Sequence, residues 1–174
     1  AVLIMFIGIS LVSLLTATIS SIFVAQKIRE GKGLEKLNLT DHLILCGWNP
    51  NGERLLKSIQ KLSKGEKKDV VLINELNEEE ISRLKNRFNT LKIHFISGDF
   101  TQEEILEKAS INDVDTVIVI PNTTGSEVAT YDEKTIFATL TIKSINPVIR
   151  VVAVLLDREN LTHIKRANAD EVVV

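Results

Sequence analysis

No Asp, Glu, Lys or Arg occurs before Lys27, and all 21 basic and 23 acidic residues of this 174-residue chain lie from that point on. A water-soluble domain spreads charge over its whole surface, so the chain divides into two parts suited to different solvents. Residues 1–26, AVLIMFIGISLVSLLTATISSIFVAQ, would make a helix about 39 Å long at 1.5 Å per residue, enough to cross a hydrocarbon core of roughly 30 Å. A secretory signal would carry a basic segment ahead of its apolar run. Here the chain opens inside the run and without Met, so a transmembrane helix in a chain that continues upstream is expected. Lys27, Arg29, Lys32 and Lys36 follow at once, and the positive-inside tendency puts the C-terminal side in the cytoplasm. The whole protein is then expected to be multi-pass in the cell inner (plasma) membrane.

Projected at 100° per residue, Ser10, Ser13, Thr16, Ser20 and Ser21 fall within an arc of about 140°, with Ile4, Leu11, Leu15, Ile19 and Ile22 on the other side. A stripe of small hydroxyl residues suits either close packing of helices or the lining of a water-filled path. Gly8 is a point where such a helix can relax.

Residues 27–40, KIREGKGLEKLNLT, are charged, contain Gly31 and Gly33, and read as a linker, helical at first. The net charge of −2 without a long basic run argues against a nucleic-acid partner. A single cysteine, Cys46, excludes a disulfide framework, no Cys/His spacing resembles a zinc site, and a reducing compartment fits. From Asp41 on, strand and helix patterns alternate. Strands are expected at 42–46, 69–75, 92–97, 116–120, 148–155 and 171–174, and helices at 52–63, 78–88, 102–109, 127–144 and 158–167. Parallel neighbours need right-handed crossovers, so residues 41–174 are expected to form an α/β, Rossmann-like doubly wound parallel sheet of six strands. Ligands of such sheets bind at the carboxyl ends of the strands, where the winding reverses.

The first turn, Cys46-Gly47-Trp48-Asn49-Pro50-Asn51-Gly52, stands where a dinucleotide fingerprint would. Gly47 and Gly52 hold the first and third glycine positions, and Asn49 takes the second, where a missing side chain normally admits a pyrophosphate. Glu75 is expected to end the second strand 23 residues beyond Gly52, where a carboxylate accepts bonds from ribose hydroxyls and rejects a 2′-phosphate. Its alternative is a solvated strand-end acid. Gly98, Asp99 and Phe100 follow the third strand beside the same crevice, where Asp99 would either accept from an adenine amino group or cap the next helix. The candidate nucleotide-binding set is therefore Gly47, Trp48, Asn49, Asn51, Gly52, Glu75, Gly98, Asp99 and Phe100. Catalytic constellations are scarce: His42, His94 and His163 are scattered without metal spacing, Cys46 reads as a small buried residue, and Tyr131 and Lys134 are three apart where a Tyr-x-x-x-Lys pair needs four.

The run from His42 to Trp48 resembles the first strand and turn of RCK domains, regulators of K⁺ conductance of the Trk-type NAD-binding N-terminal kind, above all those fused to prokaryotic potassium channels. Gly98-Asp99, the segments 115–119 and 150–153, and the closing run 167–173 support the resemblance, which extends over essentially the whole chain. It implies a pore-lining inner helix at residues 1–26, with Gly8, Ser10, Ser13 and Ser20 at the pore or gate. It also implies a homotetramer whose paired RCK domains form a cytoplasmic ring, with membrane lipid around the helices. K⁺ would be the transported ion, with NAD, ADP or ATP as regulatory ligand. Calcium-gated relatives use the Asp at the position of Asp99 with acids after the fourth strand. Here that segment reads Pro121-Asn122-Thr123-Thr124-Gly125, without a carboxylate until Glu127, so Ca²⁺ is poorly served at that place. The expectation is a ligand-gated potassium channel subunit that is not an enzyme. The alternatives are a membrane-anchored Rossmann sugar-nucleotide dehydratase or epimerase, and a regulatory subunit of a potassium transporter.

Overall fold

The computed structural model describes residues 2–31, 33, 35–63, 66–123 and 131–174, with side chains of the first helix from Gly8 to Ala25. Helix α1 (Val2–Gly31) continues past the expected boundary at residue 26. Its stretch Gly8–Ala25 is long and apolar enough to cross a membrane, and none of it is buried. The hydroxyls of Ser13, Thr16 and Thr18 donate to the carbonyls of Ile9, Val12 and Leu14 at 2.8, 2.9 and 2.8 Å. Each donor is thus satisfied by its own helix, which removes most of the cost of a hydroxyl in an apolar solvent.

Beyond the linker the chain alternates strands and helices: β1 (His42–Cys46), α2 (Gly52–Leu62), β2 (Asp69–Asn74), α3 (Glu78–Arg87), β3 (Lys92–Ser97), α4 (Glu103–Lys108), β4 (Val114–Val119), α5 (Tyr131–Ile145), β5 (Arg150–Val154), α6 (Leu161–Arg166) and β6 (Glu171–Val173). The strands form one parallel sheet in the order β3-β2-β1-β4-β5-β6. Winding reverses between β1 and β4, as a doubly wound sheet requires.

Apolar side chains on both faces of the strands explain why the sheet is covered on both sides. Leu45, Val70, Leu72 and Phe95 pack with Leu56 and Ile59 of α2 and Ile81 and Leu84 of α3. On the opposite face Ile44, Val71, Ile73, Ile96 and Val117 pack with Leu106 of α4 and Ala138 and Ile142 of α5. Leu72 is completely buried, and truncating such a residue to Ala costs about 2–5 kcal/mol. Local signals set the helix ends. In α3 the Asn77 side chain accepts from the Glu80 N–H at 2.9 Å while the Glu80 carboxylate accepts from the Asn77 N–H, a reciprocal capping box.

Several boundaries differ from the sequence reading by one or two residues, and two of the differences have a reason in side-chain bonding. β2 closes at Asn74, one residue before Glu75, because the Asn74 side chain accepts from the Leu76 N–H at 3.0 Å and turns the chain out of the sheet. The helix expected over 158–167 is a 3-10 turn, Arg158–Asn160, followed by α6, because Asp157 accepts from the Glu159 N–H at 2.9 Å and tightens the start. The fifth helix is described from Tyr131 and ends at Ile145; Glu127 and Val128 lie outside the described residues.

Gly33 and residues 35–41 are docked to the domain. The Ser97 N–H donates to the Gly33 carbonyl at 3.1 Å, the Leu37 N–H to Lys108 O at 2.8 Å, and the Asp41 N–H to Asp113 O at 2.9 Å. Ser110 donates its hydroxyl to Leu37 O at 2.8 Å and accepts from the Leu39 N–H at 3.2 Å.

Candidate functional site

The turn after β1 is built around Gly47, which has φ of +83° and whose missing Cβ would lie 2.2 Å from the Ile120 carbonyl oxygen. No other residue fits there without moving β4. The turn is stitched across the switch point: Ile120 N–H donates to Cys46 O at 2.9 Å and Thr123 N–H to Trp48 O at 3.0 Å.

Asn49, in place of the second glycine, is buried and turned inward. Its Nδ2 donates to Pro121 O at 3.1 Å and its Oδ1 accepts from the Asn51 N–H at 2.9 Å. The side chain that would obstruct a pyrophosphate is therefore spent on holding the β1 turn to the exit of β4. Gly52 lies against the indole of Trp48, where an added Cβ would come within 2.9 Å. Trp48 is thus a core residue of the α2 face, and Gly52 serves helix packing. The first turn of α2 has no side-chain cap from Asn51, and the Gly52 N–H donates to Asn49 O at 2.9 Å, so the N–H groups of Glu53 and Arg54 are the ones that keep the anion-binding character of a helix start. Arg54 in that turn lies 3.4 Å from Asn51 Oδ1.

The next two strand ends adjoin this turn. Gly47 N–H donates to Ile73 O at 2.9 Å, and Gly98 N–H to Asn74 O at 3.4 Å, so the end of β2 is held between the two glycine turns. Glu75 is exposed beyond the strand, while Asn74 is buried. Asp99 Oδ1 accepts from the Thr101 N–H at 3.0 Å and its hydroxyl at 2.9 Å, which closes the turn into α4. Phe100, expected beside a ligand, is 2% exposed in the core under α4.

The structure therefore brings Gly47, Asn49, Asn51, Gly52, Glu75, Gly98 and Asp99 to one carboxyl edge, and assigns Trp48 and Phe100 to packing. Gly8, Ser10, Ser13 and Ser20 lie apart on the exposed helix α1. His42 is buried, donating Nε2–H to Ala109 O at 2.8 Å, with its pKa lowered by burial. His94 pairs with Asp69 at 2.7 Å, and His163 is exposed. Burial pushes the Cys46 thiol up, well away from a reactive thiolate. Among the described residues no three His, Cys, Asp or Glu converge on a metal position, and Glu127 falls outside them.

Sequence reasoning missed Asp132. This buried carboxylate in the first turn of α5 accepts from the Leu156 N–H, the Asp157 N–H and Asn160 Nδ2, each at 2.9 Å. In the sequence it is indistinguishable from an ordinary first-turn acid favoured by the helix dipole. Its partners follow β5, and only the fold brings them there.

Residues 43–174 match the family model described as the TrkA-N domain. The chain belongs to the TrkA-N domain family. Among relatives of this TrkA-N chain, the calcium-gated potassium channel TvoK of Thermoplasma volcanium is 29% identical, covering 99% of this chain and 47% of TvoK. YugO, a candidate potassium channel of Bacillus subtilis, is 29% identical, covering 99% of this chain and 49% of YugO. The chain thus spans about half the length of these curated relatives. The TrkA-N fold is also that of the GsuK channel bound to NAD, with 16% identity and a TM-score of 0.66 over 92% of this chain and 27% of that one. The GsuK structure bound to ADP gives 17% identity and a TM-score of 0.67 over 92% of this chain and 39% of that one.

Proposed function

We propose that this chain is the inner-helix and TrkA-N portion of a ligand-gated potassium channel subunit, in which an adenine nucleotide at the carboxyl edge of the sheet controls opening. Residues 1–26 form the pore-lining helix, with the Ser10, Ser13 and Ser20 face toward the conduction path; 27–40 are the coupling segment; 41–174 are the cytoplasmic regulatory domain. The nucleotide is bound and released unchanged. Its phosphates sit at the start of α2, its sugar at the end of β2, and its base toward Gly98 and Asp99. Four subunits surround the pore, and their domains pair through the exposed apolar positions Phe137 and Leu140 of α5.

One observation carries the reading. The segment that leaves the apolar helix is bonded at Gly33 to Ser97, the residue just before the Gly98 turn of the candidate site. Ligand at that turn and force on the helix thus meet within two residues of one strand end. Support also comes from relatives named as potassium channels and from a solved neighbour that holds NAD or ADP.

The full-length protein in planar bilayers tests this. K⁺ open probability should change with NAD or ADP while chromatography recovers the nucleotide intact. A protein that passes no K⁺ with any nucleotide, or that consumes the nucleotide, overturns the reading in favour of a membrane-anchored enzyme.

A further inference from the structure

We infer that Asn74 contacts the ribose of the bound nucleotide as a hydrogen-bond donor, in the place where a strand-end carboxylate would act as an acceptor. The inference deepens the nucleotide reading above and rests on it. Asn74 is the last residue of β2 and is 1% exposed. Side chains alternate along a strand, so Asn74 shares the face of Val70 and Leu72, which pack with Trp48 and with Leu56 of α2. It therefore stands at the carboxyl edge of the sheet, on the side from which α2 begins, between the Gly47 and Gly98 turns.

The chemistry of the amide follows from the bond that its oxygen makes. Oδ1 accepts from the Leu76 N–H at 3.0 Å, so exchanging the amide's O and N would set two donors against each other. The free end is thus the NH₂ group, and Nδ2 is buried without a hydrogen-bond partner. Folded proteins pair nearly all such groups. The other buried atom of this kind among the described residues, His42 Nδ1, lies at the opposite end of the sheet, far from where parallel sheets take ligands. Nδ2 is shut off from solvent without ligand, so the contact requires that this group be uncovered when the ligand binds.

A donor requires an acceptor, and a ribose hydroxyl oxygen or a 2′-phosphate oxygen supplies one. A carboxylate at this place would accept a hydrogen bond from the ribose hydroxyl and repel a 2′-phosphate. Asn74 does neither. The acid expected to perform that rejection, Glu75, lies one residue further on and is exposed, where water weakens its field. Discrimination against a 2′-phosphate is therefore not built into this strand end.

Calorimetry with NAD and NADP on the full-length protein in nanodiscs is the test, since the two ligands differ only by the 2′-phosphate. Asn74→Asp keeps Oδ1 for Leu76 and replaces the donor by a charge; the NADP-to-NAD ratio of Kd should rise at least tenfold. Glu75→Gln should move the ratio less than threefold. Should Asn74→Asp fail to fold, Asn74→Ser, which keeps an acceptor and shortens the donor, should weaken both ligands at least threefold. An unchanged ratio in Asn74→Asp, or an unchanged affinity in Asn74→Ser, with the parent still binding NAD, reduces Asn74 to a turn-forming residue. A larger shift from Glu75→Gln would transfer the role to that acid. A parent that binds neither ligand overturns the nucleotide reading itself, which the parental titration shows directly.

Discussion

The Ser97 N–H donates to the Gly33 carbonyl at 3.1 Å, and this bond joins the segment leaving the apolar helix to the last residue of an edge strand. On its other side β3 pairs with β2, where Asn74 and Ser97 are in register. One strand end therefore touches both the coupling segment and the candidate site. A ligand shifts a gate only through a difference in affinity between its two states, and a short bonded route lets movement of the Gly98 turn reach α1.

Gly33 is the first test of that route. Its φ is +65°, and an added Cβ would lie 2.6 Å from Ser97 N and 2.9 Å from Ile96 Cα. Gly33→Ala should undock the segment at a local cost of about 1–3 kcal/mol. NAD affinity should stay within about twofold while most of the nucleotide's effect on open probability is lost, because binding and coupling are separate free energies. Paired calorimetry and bilayer recording check it; gating that still follows nucleotide would show that force takes another path.

Ser110 holds the same segment further along. Its left-handed backbone, φ of +56°, aims the hydroxyl at both Leu37 O and Leu39 N. Ser110→Ala leaves a donor and an acceptor of the segment without their partner and should cost about 1–3 kcal/mol. The expected readouts are a lower Tm and faster amide exchange at 37–41, and retained protection there would count against the staple.

Asp132→Ala removes the acceptor of three donors, two of them backbone N–H groups that follow β5. Losing a buried charged acceptor that serves three part-buried donors should cost about 1.5–3 kcal/mol. Denaturant unfolding would register this as a lower midpoint with an unchanged m value. Asp132→Asn should recover part of it, since one amide oxygen still accepts.

His42 makes stability depend on pH in a defined direction. Burial lowers its pKa from the ordinary 6.5. The unfolded chain then binds more protons just below pH 6.5, so this contribution is complete above that value and is lost as pH falls toward the folded-state pKa. Charging the ring would also turn the partnerless Nδ1 into a buried donor. His42→Gln should flatten the slope of ΔG against pH just below 6.5, where ordinary carboxylates are largely ionised. A slope equal to the parent's would assign it to other groups.

Phe137 and Leu140 of α5 are 61% and 45% exposed. Charges there disturb no buried contact within the subunit, so Phe137→Asp with Leu140→Asp should leave Tm nearly unchanged. Sedimentation of the full-length protein should then show weakened association of its regulatory domains, and an assembly identical to the parent's would place the pairing surface elsewhere.

Local pattern alone determined much of this protein. The charge-free run specified the apolar helix, the apolar runs of four to six residues specified the strands, and Gly47 with Gly52 located the turn at the switch point. Those features depend on neighbours in the chain, so a sequence displays them. The remaining decisions rest on pairs far apart in the chain: Gly33 with Ser97, Leu37 with Ser110, Asn49 with Pro121, Asp132 with Leu156. Asn49 looked like an obstacle in the fingerprint and proved to be a tie, because the β4 exit offers its amide a carbonyl. Glu75 matched the expected spacing, yet the Asn74 turn ended the strand one residue early and moved the acid into solvent. A one-residue shift inverts which side chain faces the site, and only packed strands in register settle which residue is last.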